Sequence, residues 1–107
     1  MFFDVFIHVI VIDRVPVRAD ARATLRLYAP VDARRSAVVV VNEGGDELRQ
    51  PVALTPVNGV AYAIMDLPPA SLRTPLAMVT VFSDDRIWGL ITVTENATQR
   101  VTAFSPQ

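Results

Sequence analysis

The chain has 107 residues, of which 51% are hydrophobic and 20% are charged, and its formal net charge is -1 at pH 7. This length fits a single domain with one core, and the charge balance excludes the basic footprint of a nucleic-acid-binding protein. The absence of cysteine excludes disulfides, thiolate catalysis and thiolate zinc sites.

Residues 2–13 alternate with a period of two and predict a long first strand. One face is unbroken and apolar, and we expect it to face the core: Phe3, Val5, Ile7, Val9 and Val11. The other face is mixed, and five of its side chains are candidates for contact with a partner subunit: Phe2, Phe6, His8, Ile10 and Ile12. Addition of a partner strand would satisfy the backbone groups of an unguarded sheet edge.

The same segment is not expected to be a targeting sequence or a membrane span. It has no basic n-region and no small-residue cleavage site, and its apolar run is far shorter than the roughly 20 residues that cross a bilayer. If Met1 is the natural start, we expect synthesis in the cytoplasm without a signal peptide. The expected final location is a virion or an extracellular assembly.

Five further segments follow in chain order. Residues 14–18 predict a linker because proline removes a ladder donor. The next two segments are strands: 20–30 alternates with leucine and alanine inward, and 37–41 is apolar on both faces, as in a central strand. Residues 48–54 predict an edge strand because they contain proline, and 60–67 predict another strand after the turn at 55–59.

Residues 76–95 predict two strands, 76–83 and 86–95, joined as a hairpin by a reversal at Asp84 and Asp85. Gly89 beside Trp88 indicates a bulge, or room for the indole across the backbone. A short last strand is predicted over 101–104.

This pattern of seven or eight strands predicts an all-β fold, a single antiparallel two-sheet sandwich of immunoglobulin-like type spanning residues 1–107. A small β-barrel is the alternative. The late position of the single tryptophan and the missing cysteine pair mean that the pattern indicates an architecture and not a family.

The candidate sites favour a non-enzymatic protein. His8 is the only histidine, so one chain cannot assemble a Ser-His-Asp triad or a pair of histidine metal ligands. The acidic loops at 42–47 and 84–85 lack the six to eight oxygen ligands that calcium takes, so we expect no metal and no cofactor. Tyr28, Tyr62 and Trp88 could form a platform that stacks on sugar rings, although packing in the core or at an edge is the commoner role of such aromatics.

Two functions remain open from these features. The first is a structural module that self-associates in a particle or filament, of virion, phage tail, decoration or surface-fibre type, with copies of itself or neighbouring structural subunits as partners. The second is a module that binds carbohydrate or a cell-surface ligand. Neither nucleic acid nor membrane insertion is expected for either function.

Overall fold

The computed structural model describes residues 8–17, 20–30, 36–43, 46–67, 76–83 and 86–106. These residues form nine β-strands: β1 (His8–Pro16), β2 (Ala21–Pro30), β3 (Ser36–Glu43), β4 (Asp46–Ala53), β5 (Thr55–Val57), β6 (Val60–Asp66), β7 (Leu76–Ser83), β8 (Trp88–Glu95) and β9 (Val101–Phe104). A four-stranded sheet has the order β1-β7-β3-β4, and a five-stranded sheet has the order β5-β6-β2-β8-β9. The predicted two-sheet antiparallel sandwich is confirmed, and the sheets do not close into a barrel.

The core lies between the two sheets and follows the alternation of the sequence. The inward side chains of the interior strands are almost completely buried: Leu25 and Leu27 on β2, Val39 and Val41 on β3, Val79 and Val81 on β7, and Ile91 and Val93 on β8. Each large apolar side chain that is fully buried contributes roughly 1.5 to 3 kcal/mol before ordering costs. The inward face predicted for 20–30 and the central position predicted for 37–41 are therefore confirmed.

The face assignment of the first strand is wrong over its described part. Ile12 is fully buried in the core and Ile10 packs against it, whereas Val9 is 49% exposed. Both faces of β1 are apolar, so alternation alone could not decide which of them meets the second sheet. The core takes the even-numbered side, which also carries His8.

The predicted linker at 14–18 begins as a continuation of β1. A register shift between Ile12 and Val15 marks a bulge, where Arg14 has a φ of 57°. The extra residue changes the parity of the strand, so that Val15 and Val17 point inward and are buried after Ile12. The bulge thus keeps Ile12 and Val15 in the core while the two charged residues between them, Asp13 and Arg14, stay exposed.

The predicted hairpin over 76–95 is also wrong, although both of its strands exist. β7 lies between β1 and β3, and β8 lies between β2 and β9 in the other sheet. The connection between them therefore crosses from one sheet to the other. Its sequence has no glycine for a primed two-residue turn, and this absence is more compatible with a crossing than with a hairpin.

A ninth strand forms where the sequence predicted only a turn. Asn58 and Gly59 both have positive φ, 48° and 88°, as a type I′ turn requires. These two residues complete the reversal, which leaves β5 free to pair with the start of β6. The strand order also differs from that of a constant-type immunoglobulin domain, because β1 pairs with β7 and not with β2.

Gly89 is not at a bulge. The register between β2 and β8 is continuous through Gly89, which faces the core. A Cβ at this position would lie 2.7 Å from Cδ1 of Ile10 and 3.2 Å from Cδ2 of Leu27. The glycine therefore makes room for a side chain of the opposite sheet.

Candidate binding surfaces

The three aromatic residues singled out from the sequence lie side by side on the outer face of the five-stranded sheet. Tyr28 on β2 is paired with Tyr62 on β6 and with Trp88 on β8, so the three side chains project from the same face. The ring centroids of Tyr28 and Tyr62 are 5.8 Å apart, with the planes tilted by 38°. Trp88 is 55% exposed, and both tyrosines are half-buried. We call these three residues the aromatic row.

A polar strip runs beside the aromatic row on the same face. Arg26 lies two residues before Tyr28 on β2 and therefore projects from the same face. Its Nη1 donates a hydrogen bond of 2.9 Å to Oγ1 of Thr92. One step further, Asp66 accepts hydrogen bonds from Arg22 and from the hydroxyl of Thr24, at 2.9 and 3.0 Å. These bonds, chiefly the one from Arg22, lower the pKa of Asp66 below its ordinary value. Thr92 is paired with Thr24, so the bond turns the Arg26 guanidinium towards the Asp66 end of the strip, and Ile64 and Leu90 are the cross-strand neighbours of Arg26.

An open depression lies at the Tyr62 end of the aromatic row. Its volume is about 350 Å³, and its lining includes Thr55, Val57, Tyr62 and Ile64. Cavities that bind small molecules usually have volumes of about 300 to 1,000 Å³, with mostly apolar walls and a few polar groups. The lining also includes Val52 and Ala53 on β4, so the depression opens at the side of the sandwich, and Tyr62 is the residue that it shares with the row.

The outer face of the four-stranded sheet is a second and different surface. Cross-strand pairing places Val9, Phe82 and Val38 in one line across β1, β7 and β3. Leu76 and Met78 on β7 are 39% and 40% exposed. We call the set Val9, Val11, Val38, Leu76, Met78 and Phe82 the apolar outer face. The outward positions of β7 and β3 in the described chain carry no charged side chain.

Three of the candidate interface residues on the first strand, His8, Ile10 and Ile12, lie on one side of β1, and that side faces the core. Phe2 and Phe6 lie outside the described residues. His8 is half-buried at the start of β1, opposite Ser83. Ile10 and Ile12 belong to the core side and cannot form an exposed face together.

Sequence reasoning missed the surface on the other side of β1. Val9 and Val11 were expected in the core, and Met78 and Phe82 were not singled out within the predicted strand 76–83. The composition of β7 could have indicated its outward face. Its even-numbered residues are larger and less often β-branched than its odd-numbered ones: Leu76, Met78, Thr80 and Phe82. Small β-branched residues at the odd positions pack better between two sheets.

The described residues contain no group of three or more histidine, cysteine, aspartate or glutamate side chains that could hold a metal ion. No helix in the described part of the chain is long and apolar enough to cross a membrane. Neither observation adds a further site to the two outer faces.

Comparison with protein-family models, curated proteins and solved structures found no match to this chain.

Proposed function

We propose that the protein is a non-enzymatic structural module that self-associates in a particle or filament, of the kind found in virions, phage tails, decoration layers or surface fibres. The observation that carries the proposal is the apolar outer face. Val9 is 49% exposed in an edge strand, and its cross-strand neighbours on β7 and β3 are also apolar. Contiguous exposed apolar surface of this kind is typical of protein–protein interfaces.

The size of the face suits contact with a second copy. The outer side of the whole sheet, four strands of about eight residues spaced about 4.8 Å apart, has roughly 500 Å² of projected area before side-chain corrugation is counted, and the apolar outer face occupies three of these strands. A standard interface takes about 800 Å² from each partner. Among the described residues β1 is an edge strand of this sheet, and its edge adjoins the face and adds backbone groups that a neighbouring strand can pair with.

The charge pattern also favours a second copy over a strongly charged partner. The margin of the face on β4 carries charges of both signs. Glu47 and Arg49 lie there and form an ion pair of 2.6 Å with each other. The chain as a whole has a formal net charge of -1. Copies of this protein would therefore meet with little electrostatic repulsion.

The test is the mass in solution of Val9→Asp and Met78→Asp, measured by light scattering over a range of concentrations. We expect the wild-type protein to form a defined oligomer or filament, and both variants to shift towards the monomer because each places a carboxylate in an apolar interface. Val101→Asp is the matched control, since Val101 is 59% exposed on the other sheet. It should retain the wild-type mass.

Melting curves of all three variants must show a folded protein, as expected for substitutions at exposed positions. A wild-type protein that stays monomeric at high concentration would contradict the proposal. So would a loss of assembly in Val101→Asp with none in Val9→Asp.

A further inference from the structure

We infer that the aromatic row is a binding site for a chain of β-linked hexopyranose sugars, which lies across β6, β2 and β8. This inference goes beyond self-association and uses the opposite sheet. It depends on three observations: the alignment of the rings, the polar strip beside them and the depression at one end.

The alignment of the rings sets the kind of ligand. Neighbouring strands lie about 4.8 Å apart, so the three side chains are spaced at intervals comparable with one sugar ring. The faces of pyranoses with mainly equatorial hydroxyls carry axial C–H groups, which pack against the electron-rich faces of aromatic rings. Chains of such sugars joined by β-1,4 bonds are extended and flat, whereas α-1,4-linked chains curl away from a flat row.

The exposure of Trp88 separates a binding role from a purely structural one. The Tyr28–Tyr62 contact is accounted for as a cross-strand aromatic pair that stabilises the sheet. Trp88, by contrast, has more than half of its surface open to solvent although it is the largest side chain in the protein. Exposed tryptophan and tyrosine are typical of the residues that dominate binding energy.

The polar strip provides the hydrogen bonds that equatorial hydroxyls require. Arg26 starts one outward position from Tyr28, and although its bond to Thr92 turns the guanidinium towards the far end of the strip, it keeps further N–H donors for a sugar hydroxyl. Thr55 is paired with Tyr62 at the other end of the row and is exposed. Stacking on the rings would therefore be accompanied by hydrogen bonds at the edges of the sugars.

Single-stranded nucleic acid also stacks on aromatic rows but fits this surface less well. Such binding requires a positively charged groove along the backbone. On this face Arg22 is paired with Asp66, and the formal net charge of the chain is -1. A neutral ligand therefore fits the charge distribution better.

The experiment uses the emission of Trp88, the only tryptophan in the chain. The full chain with Val9→Asp is titrated with cellohexaose, chitohexaose and mannohexaose, and with maltohexaose as the α-linked contrast. At least one β-linked hexamer should give a saturable change in emission intensity and wavelength, with little response to maltohexaose. Tyr28→Ala should weaken that binding by about tenfold, the effect of truncating a stacking ring.

Val101→Ala is the matched control, because Val101 is exposed on the same sheet but outside the row. It should bind as tightly as the parent protein. The inference is overturned if no β-linked hexamer changes the emission, if maltohexaose binds equally well, or if Tyr28→Ala binds normally. It is also overturned if the emission changes with the concentration of the protein and not with the concentration of the sugar. The row would then be a contact between subunits. Failure of the self-association test leaves this result unaffected, because the two surfaces have no residue in common.

Discussion

Leu25 and Ile91 are cross-strand partners in the five-stranded sheet, and both are completely buried. We expect Leu25→Asp and Ile91→Asp each to unfold the protein, because an unpaired carboxylate in the core costs several kcal/mol against a total stability of about 5 to 15 kcal/mol. The measurement is a thermal melt followed by circular dichroism.

Arg26→Asp is the control for these two substitutions. Arg26 follows Leu25 on β2, but its side chain points outward and is half-buried. This variant should lose the hydrogen bond to Thr92 and still melt cooperatively. A wild-type melt for either core variant would mean that the inward face of β2 and β8 is assigned to the wrong side.

The same residues show how far side-chain orientation could be predicted. In β2 the polar and apolar positions alternate without exception up to Tyr28, so the sequence identifies its inward face. In β1 both parities are apolar, and the bulge at Arg14 reverses the parity within the strand. Alternation cannot identify the inward face in that case. The sequence therefore predicted Val9 in the core and Ile12 outside it, the reverse of the structure.

Between elements, Gly89 on β8 and Ile10 on β1 form a contact that joins the two sheets. We expect Gly89→Ala to destabilise the protein by about 1 kcal/mol, because its Cβ would overlap Cδ1 of Ile10, the end of a half-buried side chain that must rotate away. Ile10→Val alone removes that methyl and should cost about 0.5 to 1.5 kcal/mol.

The double variant Gly89→Ala with Ile10→Val should be more stable than the sum of the two single effects predicts, as measured by urea unfolding. Some cost should remain, since Cδ2 of Leu27 would still lie 3.2 Å from the new Cβ. Strict additivity would show that the packing of Ile10 against Gly89 is not what limits the space at this position.

The pairing of elements was less predictable than their existence. Eight of the nine strands could be expected from alternation and turn residues, including β7 and β8. Their assignment to different sheets could not, because each has an apolar inward face and either could pair with the other. The aromatic row is a partial exception: the three residues were chosen for their chemistry, and only the register of β2 with its two neighbours brings them into line.

In the molecule as a whole, the apolar outer face and the aromatic row lie on opposite sides of the sandwich. If self-association uses only the former, Trp88 should keep a constant emission spectrum over the concentrations at which the mass changes. Light scattering and fluorescence measured on the same samples test this expectation. An emission shift that follows the mass would move the subunit contact to the five-stranded sheet.

The strand order also has a kinetic consequence. β1 pairs with β7, and β2 lies between β6 and β8, so both sheets require segments that are far apart along the chain to meet. The entropy of closing such long loops must be overcome before pairing compensates for it, which places proteins of this kind among the slower folders, in milliseconds to seconds. During synthesis β1 precedes its partner strand, so its apolar residues stay unpaired until β7 has left the ribosome. The interval before β7 emerges is when this chain is most exposed to aggregation.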